Sequence, residues 1–68
     1  MTVTYEQATD VLYLLLDAEA EQVRCQELSE DVILDLGPDD RIVGIEILDA
    51  SKRLRLEQVL PAEYQKTA

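Results

Sequence analysis

The fold is decided by residues 35–49, whose sequence is DLGPDDRIVGIEILD. Apolar residues alternate before the Gly-Pro-Asp-Asp cluster and again after it, which is the pattern of a β-hairpin. We therefore predict two strands, 32–36 and 41–47, joined by a four-residue loop. This loop length pairs Leu34 with Val43 and places the apolar residues of both strands on one side of the sheet.

Three further strands are predicted before this hairpin. Residues 2–5 are good strand formers, and residues 11–16 form an apolar run whose length favours a strand buried on both faces. A third strand is predicted at about 21–28, with Val23 and Cys25 facing inward. The first half of the chain therefore adds three strands to the sheet.

A helix is predicted directly after the hairpin. Asp49 is a candidate N-cap whose carboxylate can accept an N–H from Ser51 or Lys52. Pro61 ends or kinks this helix near Leu60, because proline restricts the residue before it and cannot continue the hydrogen-bond ladder. We expect the tail, 65–68, to be frayed.

A chain of 68 residues has room for one domain with one small core, so we predict a single domain over residues 1–68. The predicted fold class is α+β, a small antiparallel β-meander sheet of about four to five strands with one C-terminal helix. Cys25 is the only cysteine and the chain has no histidine. We therefore predict no disulfide, no metal centre and no cofactor, which leaves self-association to supplement the core.

The chain is strongly acidic, with fifteen Asp and Glu against six Lys and Arg and a formal net charge of −9. This charge repels phosphate backbones and anionic membranes, so we predict neither a nucleic-acid nor a membrane partner. The N-terminus has no signal-peptide pattern, and the longest apolar run is far shorter than the ~20 residues that span a bilayer. With its single unpaired cysteine, the protein is predicted to be cytoplasmic.

More apolar side chains are present than one short helix can cover. Monomers seldom leave a large apolar patch in water, so a second apolar face of the sheet indicates an interface. We predict a homodimer whose contacts come from Leu12, Leu14, Ile33 and Ile42.

Two parts of the chain carry a family resemblance, namely Tyr5 with the DVLY stretch at 10–13, and residues 35–51. This pattern resembles a family of small bacterial proteins catalogued as domain of unknown function 2283, over about residues 5–54. The chain departs from it at Glu6, where the family usually has Asp, and at Asp40, where it tends to have Gly. The resemblance implies a compact, mostly antiparallel α+β unit and brings no activity with it.

Four acidic residues in the family-like segments are candidate ligands for a metal ion. Converging carboxylates would suit Mg²⁺ or Ca²⁺, and the candidates are Asp10, Asp35, Glu46 and Asp49. The structural interpretation is that Asp10 and Asp49 cap, Asp39 and Asp40 build a turn, and Glu46 faces water. We favour this interpretation, because the loop that carries Asp35, Asp39 and Asp40 lacks the alternating oxygen ligands and the distal Glu of an EF-hand.

Cys25 is predicted to be an inert thiol. The chain has no histidine to activate it, and acidic neighbours such as Glu27 raise the pKa of a thiol. Tyr5, Tyr13 and Tyr64 occur at strand spacing, which favours a role in the core or at an interface. We assign no catalytic residue.

Three functional hypotheses follow from these observations. The first is a non-catalytic protein-interaction module that binds a basic partner protein. The second is a self-associating structural dimer that binds a small ligand or a metal. The third is an enzyme whose carboxylates meet at a subunit interface, since two carboxylates need a cleft that one small monomer scarcely offers.

Overall fold

The computed structural model describes residues 1–59 and the backbone of Gln65–Thr67. Five antiparallel strands form one sheet: β1 (Thr2–Glu6), β2 (Val11–Leu15), β3 (Arg24–Ser29), β4 (Val32–Leu36) and β5 (Ile42–Ile47). A short strand β6 (Gln65–Thr67) pairs in parallel with β1, which gives the order β3-β4-β5-β2-β1-β6. Two short helices follow β5, namely α1 (Ala50–Arg53) and α2 (Leu56–Val59).

The predicted α+β meander is confirmed. The tail was expected to fray over 65–68, whereas the backbone of Gln65–Thr67 lies beside β1 and Ala68 lies outside the described residues. The predicted helix end before Pro61 also lies outside them. The helices α1 and α2 have four residues each, and no helix in the described part of the chain has the length or apolar character needed to cross a membrane.

The hairpin of β4 and β5 is present, but its predicted register is wrong by two residues. Leu34 pairs with Ile45 rather than with Val43. The turn contains Asp39 and Asp40 in left-handed conformation, with φ of 60° and 59°. The register shifts between Asp35, which pairs with Gly44, and Leu36, which pairs with Ile42, so Val43 is an extra residue in β5. A slip of two keeps each side chain on its predicted face, because the side-chain period of a strand is two.

The sheet has two chemically different faces. Side chains of cross-strand partners project to the same side of a sheet. The pairings Leu12–Ile47 and Leu14–Ile45 therefore place these four side chains on one face. We call this side the helix face, and its strand positions include Val3, Tyr5, Leu12, Leu14, Val32, Leu34, Leu36, Ile45 and Ile47. The other side is the acidic face, with Thr4, Glu6, Val11, Tyr13, Leu15, Cys25, Glu27, Ile33, Asp35, Gly44 and Glu46.

The core lies on the helix face beneath the start of α1. Leu12 and Ala50 are fully buried and Tyr5 is nearly so; the partly buried residues packed against them are Val3, Ile47, Leu54 and Leu56. Burying a leucine of this kind contributes about 1.5–3 kcal/mol relative to leaving it exposed. The helical segment is broken at Leu54, whose backbone is extended at φ −132° and ψ 154°. It therefore forms two short helices where one was predicted.

Asp49 occupies the predicted N-cap position, yet its side chain makes no capping hydrogen bond, and its backbone is left-handed with φ 51°. The Ser51 amide instead donates to Asp10 Oδ1 at 3.1 Å, and the Ser51 hydroxyl donates to Asp10 Oδ2 at 2.7 Å. The Ala50 amide donates to the backbone oxygen of Asp10. The start of α1 is thus held by a distant residue from the β1–β2 turn.

β3 is shorter than predicted, and its residues do not face a core. All its residues are exposed, Cys25 included, and Val23 before it is 46% exposed. The reason is topological: β3 pairs only with β4 and stands at the edge of the sheet. The prediction that Val23 and Cys25 face inward is therefore wrong, because the alternation of apolar and polar residues along 21–28 does not correspond to a buried face.

Candidate functional site

The candidate site lies on the acidic face, where two cross-strand rows of side chains run next to each other. One row contains Tyr13, Glu46 and Ile33, from β2, β5 and β4. The neighbouring row contains Gly44, Asp35 and Cys25, from β5, β4 and β3. Four ionisable side chains from four strands consequently meet around a glycine.

Gly44 makes room for the ring of Tyr13. A Cβ atom at position 44 would lie 2.3 Å from Tyr13 Oη and 2.7 Å from Tyr13 Cζ, closer than real Cβ contacts occur. The ring therefore passes over the glycine and reaches the next strand. Its hydroxyl donates to Asp35 Oδ2 at 2.8 Å, a bond between side chains of β2 and β4 that spans β5.

Asp35 is the centre of the cluster and is 8% exposed. While Oδ2 accepts from Tyr13, Oδ1 accepts from the Cys25 thiol, with an Sγ–Oδ1 distance of 3.3 Å. A buried carboxylate needs such donors, because burial without them carries a large desolvation cost. Both oxygens of Asp35 are thus satisfied by side chains from neighbouring strands.

The shared charge alters the acidity of the groups around Asp35. Burial, followed by the hydrogen bond to Asp35, raises the pKa of Tyr13 to about 12. Burial and then the negative charge of Asp35 raise the pKa of Glu46 above its ordinary value. The hydrogen bond to Asp35 and the charge of that group raise the pKa of Cys25. Tyr13, Glu46 and Cys25 therefore lose their protons less readily than usual. Cys25 is a poor nucleophile in this setting, because only the thiolate form of cysteine attacks.

The cluster also has the composition of a possible metal site. Ligand atoms of Cys25, Asp35 and Glu46 lie within 4.8 Å of one another. A thiolate with two carboxylates would suit Zn²⁺ better than Mg²⁺ or Ca²⁺, which prefer all-oxygen sets. Binding would require the Cys25 thiol to lose its proton, and its raised pKa opposes that loss.

The four carboxylates proposed from the sequence do not form one cluster. Asp35 and Glu46 are together on the acidic face, but Asp10 is bound to Tyr5 and Ser51, and Asp49 is exposed. Hydrogen bonds from Tyr5 and Ser51 lower the pKa of Asp10, as expected for a capping carboxylate. Glu46, which was expected to face water, is half-buried on the acidic face and so is exposed to water only in part.

Tyr13 and Cys25 are the site residues that sequence reasoning did not connect with the carboxylates. Cys25 behaves as predicted in having a raised pKa, although the cause is Asp35 rather than Glu27. The available signal was Gly44, a glycine inside a strand, which often marks a close approach by another group. Gly44 could have pointed to Tyr13 only if the pairing of β2 with β5 had been known, and the sequence does not give that pairing.

The predicted interface residues do not share one face. Leu12 is fully buried within the chain, so it has no surface to offer a partner. Leu14 is half-buried on the helix face, and Ile33 is half-buried on the acidic face. Ile42 is 48% exposed beside the register shift of β5. We grouped all four on one face because β2 is apolar throughout and lacks the alternation that would separate its two sides.

These features define a small α+β protein built on one antiparallel sheet, with a polar cluster arranged around a glycine. The family described as "Protein of unknown function (DUF2283)" matches residues 2–51, and the chain belongs to this family. The match confirms the resemblance expected from the sequence. Comparisons with curated proteins and with solved structures find no significant match.

Proposed function

We propose that this protein is a non-catalytic interaction module that binds a basic partner protein through its acidic face. One observation carries the proposal: the strand positions of this face in β1–β5 include four carboxylates and no Lys or Arg. Of these carboxylates, Glu6 and Glu27 are exposed, Glu46 is half-buried, and Asp35 is buried beneath the face. A surface with one sign of charge attracts a partner of the opposite sign and discriminates against others.

Apolar side chains lie between these carboxylates and supply contact area. Tyr13, Leu15 and Ile33 are half-buried on the acidic face, leaving part of each side chain for a partner. Protein interfaces commonly combine such apolar or aromatic anchors with polar groups around them. The acidic face therefore offers both affinity and charge selectivity.

The electrostatics of the cluster favour a cationic side chain. Asp35 and Glu46 repel one another, and this repulsion contributes to the raised pKa of Glu46. A guanidinium or ammonium group placed between them would relieve the repulsion and stabilise both charges. The net charge of −9 would also speed encounter with a basic protein.

An open pocket at one end of the acidic face offers a place for such a side chain. It has a volume of about 270 Å³ and is lined by Thr4, Glu6, Thr9, Val11 and Tyr13. Its walls are mostly apolar, which suits the aliphatic stem of Lys or Arg, and Glu6 supplies a charge at the same site.

The test compares binding by variants with equal changes in net charge. Glu6→Lys with Glu27→Lys reverses two exposed charges on the acidic face, whereas Glu19→Lys with Glu57→Lys reverses two exposed charges outside it. Immobilised wild-type protein and the Glu19/Glu57 variant should both capture the same basic protein from native extract. The Glu6/Glu27 variant should lose it, and the dissociation constant for the purified partner should rise with salt. Equal capture by both variants would exclude the acidic face.

A second candidate function, metal binding, is favoured by the closeness of Cys25, Asp35 and Glu46. A metal that binds the native state and not the unfolded chain raises the unfolding temperature, by an amount that grows with the ratio of free metal to its dissociation constant. Zn²⁺ should then raise the melting temperature of the wild type and leave that of Cys25→Ser much less changed. Equal melting temperatures in EDTA and in Zn²⁺ would reject this candidate.

A further inference from the structure

We propose that the pocket at the end of the acidic face is a lysine subsite, which binds the ammonium group of a partner's Lys side chain at Glu6 and Thr9 and prefers it to Arg. The lysine subsite is part of the proposed partner site, so its assignment rests on the proposed function. It names the side chain that the basic partner inserts at this place. The pocket can nevertheless be tested without the partner.

The lysine subsite is built on two adjacent cross-strand pairs and the turn between their strands. Thr4 pairs with Tyr13 and Glu6 pairs with Val11, so these four side chains project together from β1 and β2 on the acidic face. Thr9 lies in the turn that joins the two strands and completes the lining. The volume of about 270 Å³ is below the range of roughly 300–1,000 Å³ for small-molecule sites, so the pocket has the size for one side chain.

Val11 and Tyr13 form the apolar wall of the lysine subsite. Both are half-buried, and the Tyr13 ring is held at its far end, where its hydroxyl donates to Asp35 Oδ2 at 2.8 Å. A wall fixed in this way need not be ordered when a side chain binds, which lowers the entropic cost of binding. Long aliphatic stems pack on such surfaces while their charged ends contact polar groups or water. The wall therefore favours a cation on a long stem over a small inorganic cation.

Glu6 requires the occupant to be a cation. The two ion pairs among the described residues join Arg24 to Asp40 and Arg53 to Asp31, so Glu6 has no cationic partner in that part of the chain. Glu6 is exposed at the end of β1, where a cation can reach it without the desolvation cost of a buried ion pair. A neutral side chain would gain nothing from this carboxylate, and an acidic side chain would be repelled by it.

The hydrogen bond between Thr9 and Glu6 favours an ammonium group over a guanidinium group. The Thr9 hydroxyl donates to Glu6 Oε1 at 2.9 Å, which uses its single proton and leaves its oxygen as an acceptor. An ammonium group has three donors and can bind this oxygen and the carboxylate together. A guanidinium group binds best through two parallel hydrogen bonds to both carboxylate oxygens, and Thr9 already occupies a position at Oε1. We therefore expect tighter binding of Lys than of Arg.

Methyl NMR of the wild type at constant ionic strength tests the pocket, with n-butylammonium as a mimic of the Lys side chain. The methyl signals of Thr4, Thr9 and Val11 should shift to saturation with a dissociation constant of about 1–100 mM, the range for a ligand of about five non-hydrogen atoms. We expect n-propylguanidinium, which mimics Arg, to bind at least about threefold more weakly, and neutral 1-butanol to bind more weakly still. No saturable shift at these signals would overturn the lysine subsite. Binding of n-propylguanidinium or 1-butanol as tight as that of n-butylammonium would overturn its selectivity.

Three substitutions at exposed positions locate the bound charge. Glu6→Gln should raise the dissociation constant of n-butylammonium at least about fivefold, because it removes the carboxylate of the pocket. Glu27→Gln removes an equal charge from β3 on the same face and should leave that constant within about twofold. Thr9→Val removes the hydroxyl and should abolish the preference for ammonium over guanidinium. Equal effects of Glu6→Gln and Glu27→Gln would place the cation elsewhere on the acidic face and overturn the inference.

Failure of the lysine subsite and failure of the proposed function give different results. Loss of partner capture by the Glu6/Glu27 charge-reversal variant, without saturable binding of n-butylammonium, would retain the acidic face as the partner site and reject the lysine subsite. Saturable binding of n-butylammonium, with equal partner capture by both charge-reversal variants, would reject the acidic face as the partner site and leave the pocket as an ammonium site only.

Discussion

Asp10 and Ser51 are 41 positions apart and are joined by two hydrogen bonds, from the amide and the hydroxyl of Ser51. The Tyr5 hydroxyl also donates to Asp10, at 2.6 Å from Oδ1. One carboxylate therefore connects β1, the turn after it and the start of α1. Its left-handed backbone, with φ 57°, places it between these elements.

Asp10→Asn should lower the melting temperature at neutral pH, because the neutral amide is a weaker acceptor than the carboxylate. The hydrogen bonds lower the pKa of Asp10 from its ordinary 3.8, so its stabilisation is present above that pH and lost as pH falls through the lowered value. The melting difference between wild type and variant should therefore shrink in strong acid, as followed by circular dichroism. Asp49→Asn, at another left-handed position without a capping bond, is the control and should change little.

Glu46→Gln should raise the melting temperature at pH 7. Burial and the charge of Asp35 raise the pKa of Glu46, so the folded state holds this proton more tightly than the unfolded chain. The ionised form therefore costs stability at pH values above the ordinary 4.5, and the gain in the variant should disappear below it. Glu27→Gln, on exposed β3, is the control. A gain that persists unchanged at acidic pH would contradict this explanation.

Gly44→Ala should destabilise the fold by about 1–3 kcal/mol, the usual cost of overpacking. The added methyl group would collide with the Tyr13 ring. In a Tyr13→Val background the same substitution should cost less, and a double-mutant cycle from urea unfolding measures the difference. Additive effects would show that the collision with Tyr13 is not the cause.

Asp40→Gly should stabilise the fold by about 0.5–1 kcal/mol, because Asp40 has φ 59° and glycine adopts that conformation without strain. The change also removes the exposed ion pair with Arg24, which offsets part of the gain, since such pairs contribute about 0–1 kcal/mol. Arg24→Gln removes the ion pair alone and is the matched control. A lower urea midpoint for Asp40→Gly than for Arg24→Gln would contradict the backbone argument.

The strands around the hairpin were predictable because alternation records which face of a sheet is buried. Alternation repeats every two residues, so it could not distinguish the pairing of Leu34 with Val43 from that with Ile45. The bulge and the two left-handed Asp residues set the register, and neither has a distinct signal in the sequence.

The candidate site was only partly predictable, because its members meet through non-local pairing. Asp35 and Glu46 lie on the two predicted hairpin strands, but the predicted register places Ile42 opposite Asp35. Only the observed register, with Gly44 opposite Asp35, brings Glu46 next to it. Tyr13 and Cys25 join them only because β5 pairs with β2 and β4 pairs with β3. In β2 the continuous apolar run hid which side chains face the cluster, so Tyr13 remained a general core candidate.

The irregular edge strand β3 has a consequence for the state of the protein at high concentration. Its pairing with β4 shifts between Glu27 and Ser29, so its outer hydrogen-bonding edge is not a continuous ladder. A strand from another molecule could match only part of such an edge, which discourages growth of the sheet into fibrils. We therefore expect this edge, which no strand covers in the described part of the chain, to be a poor template for amyloid.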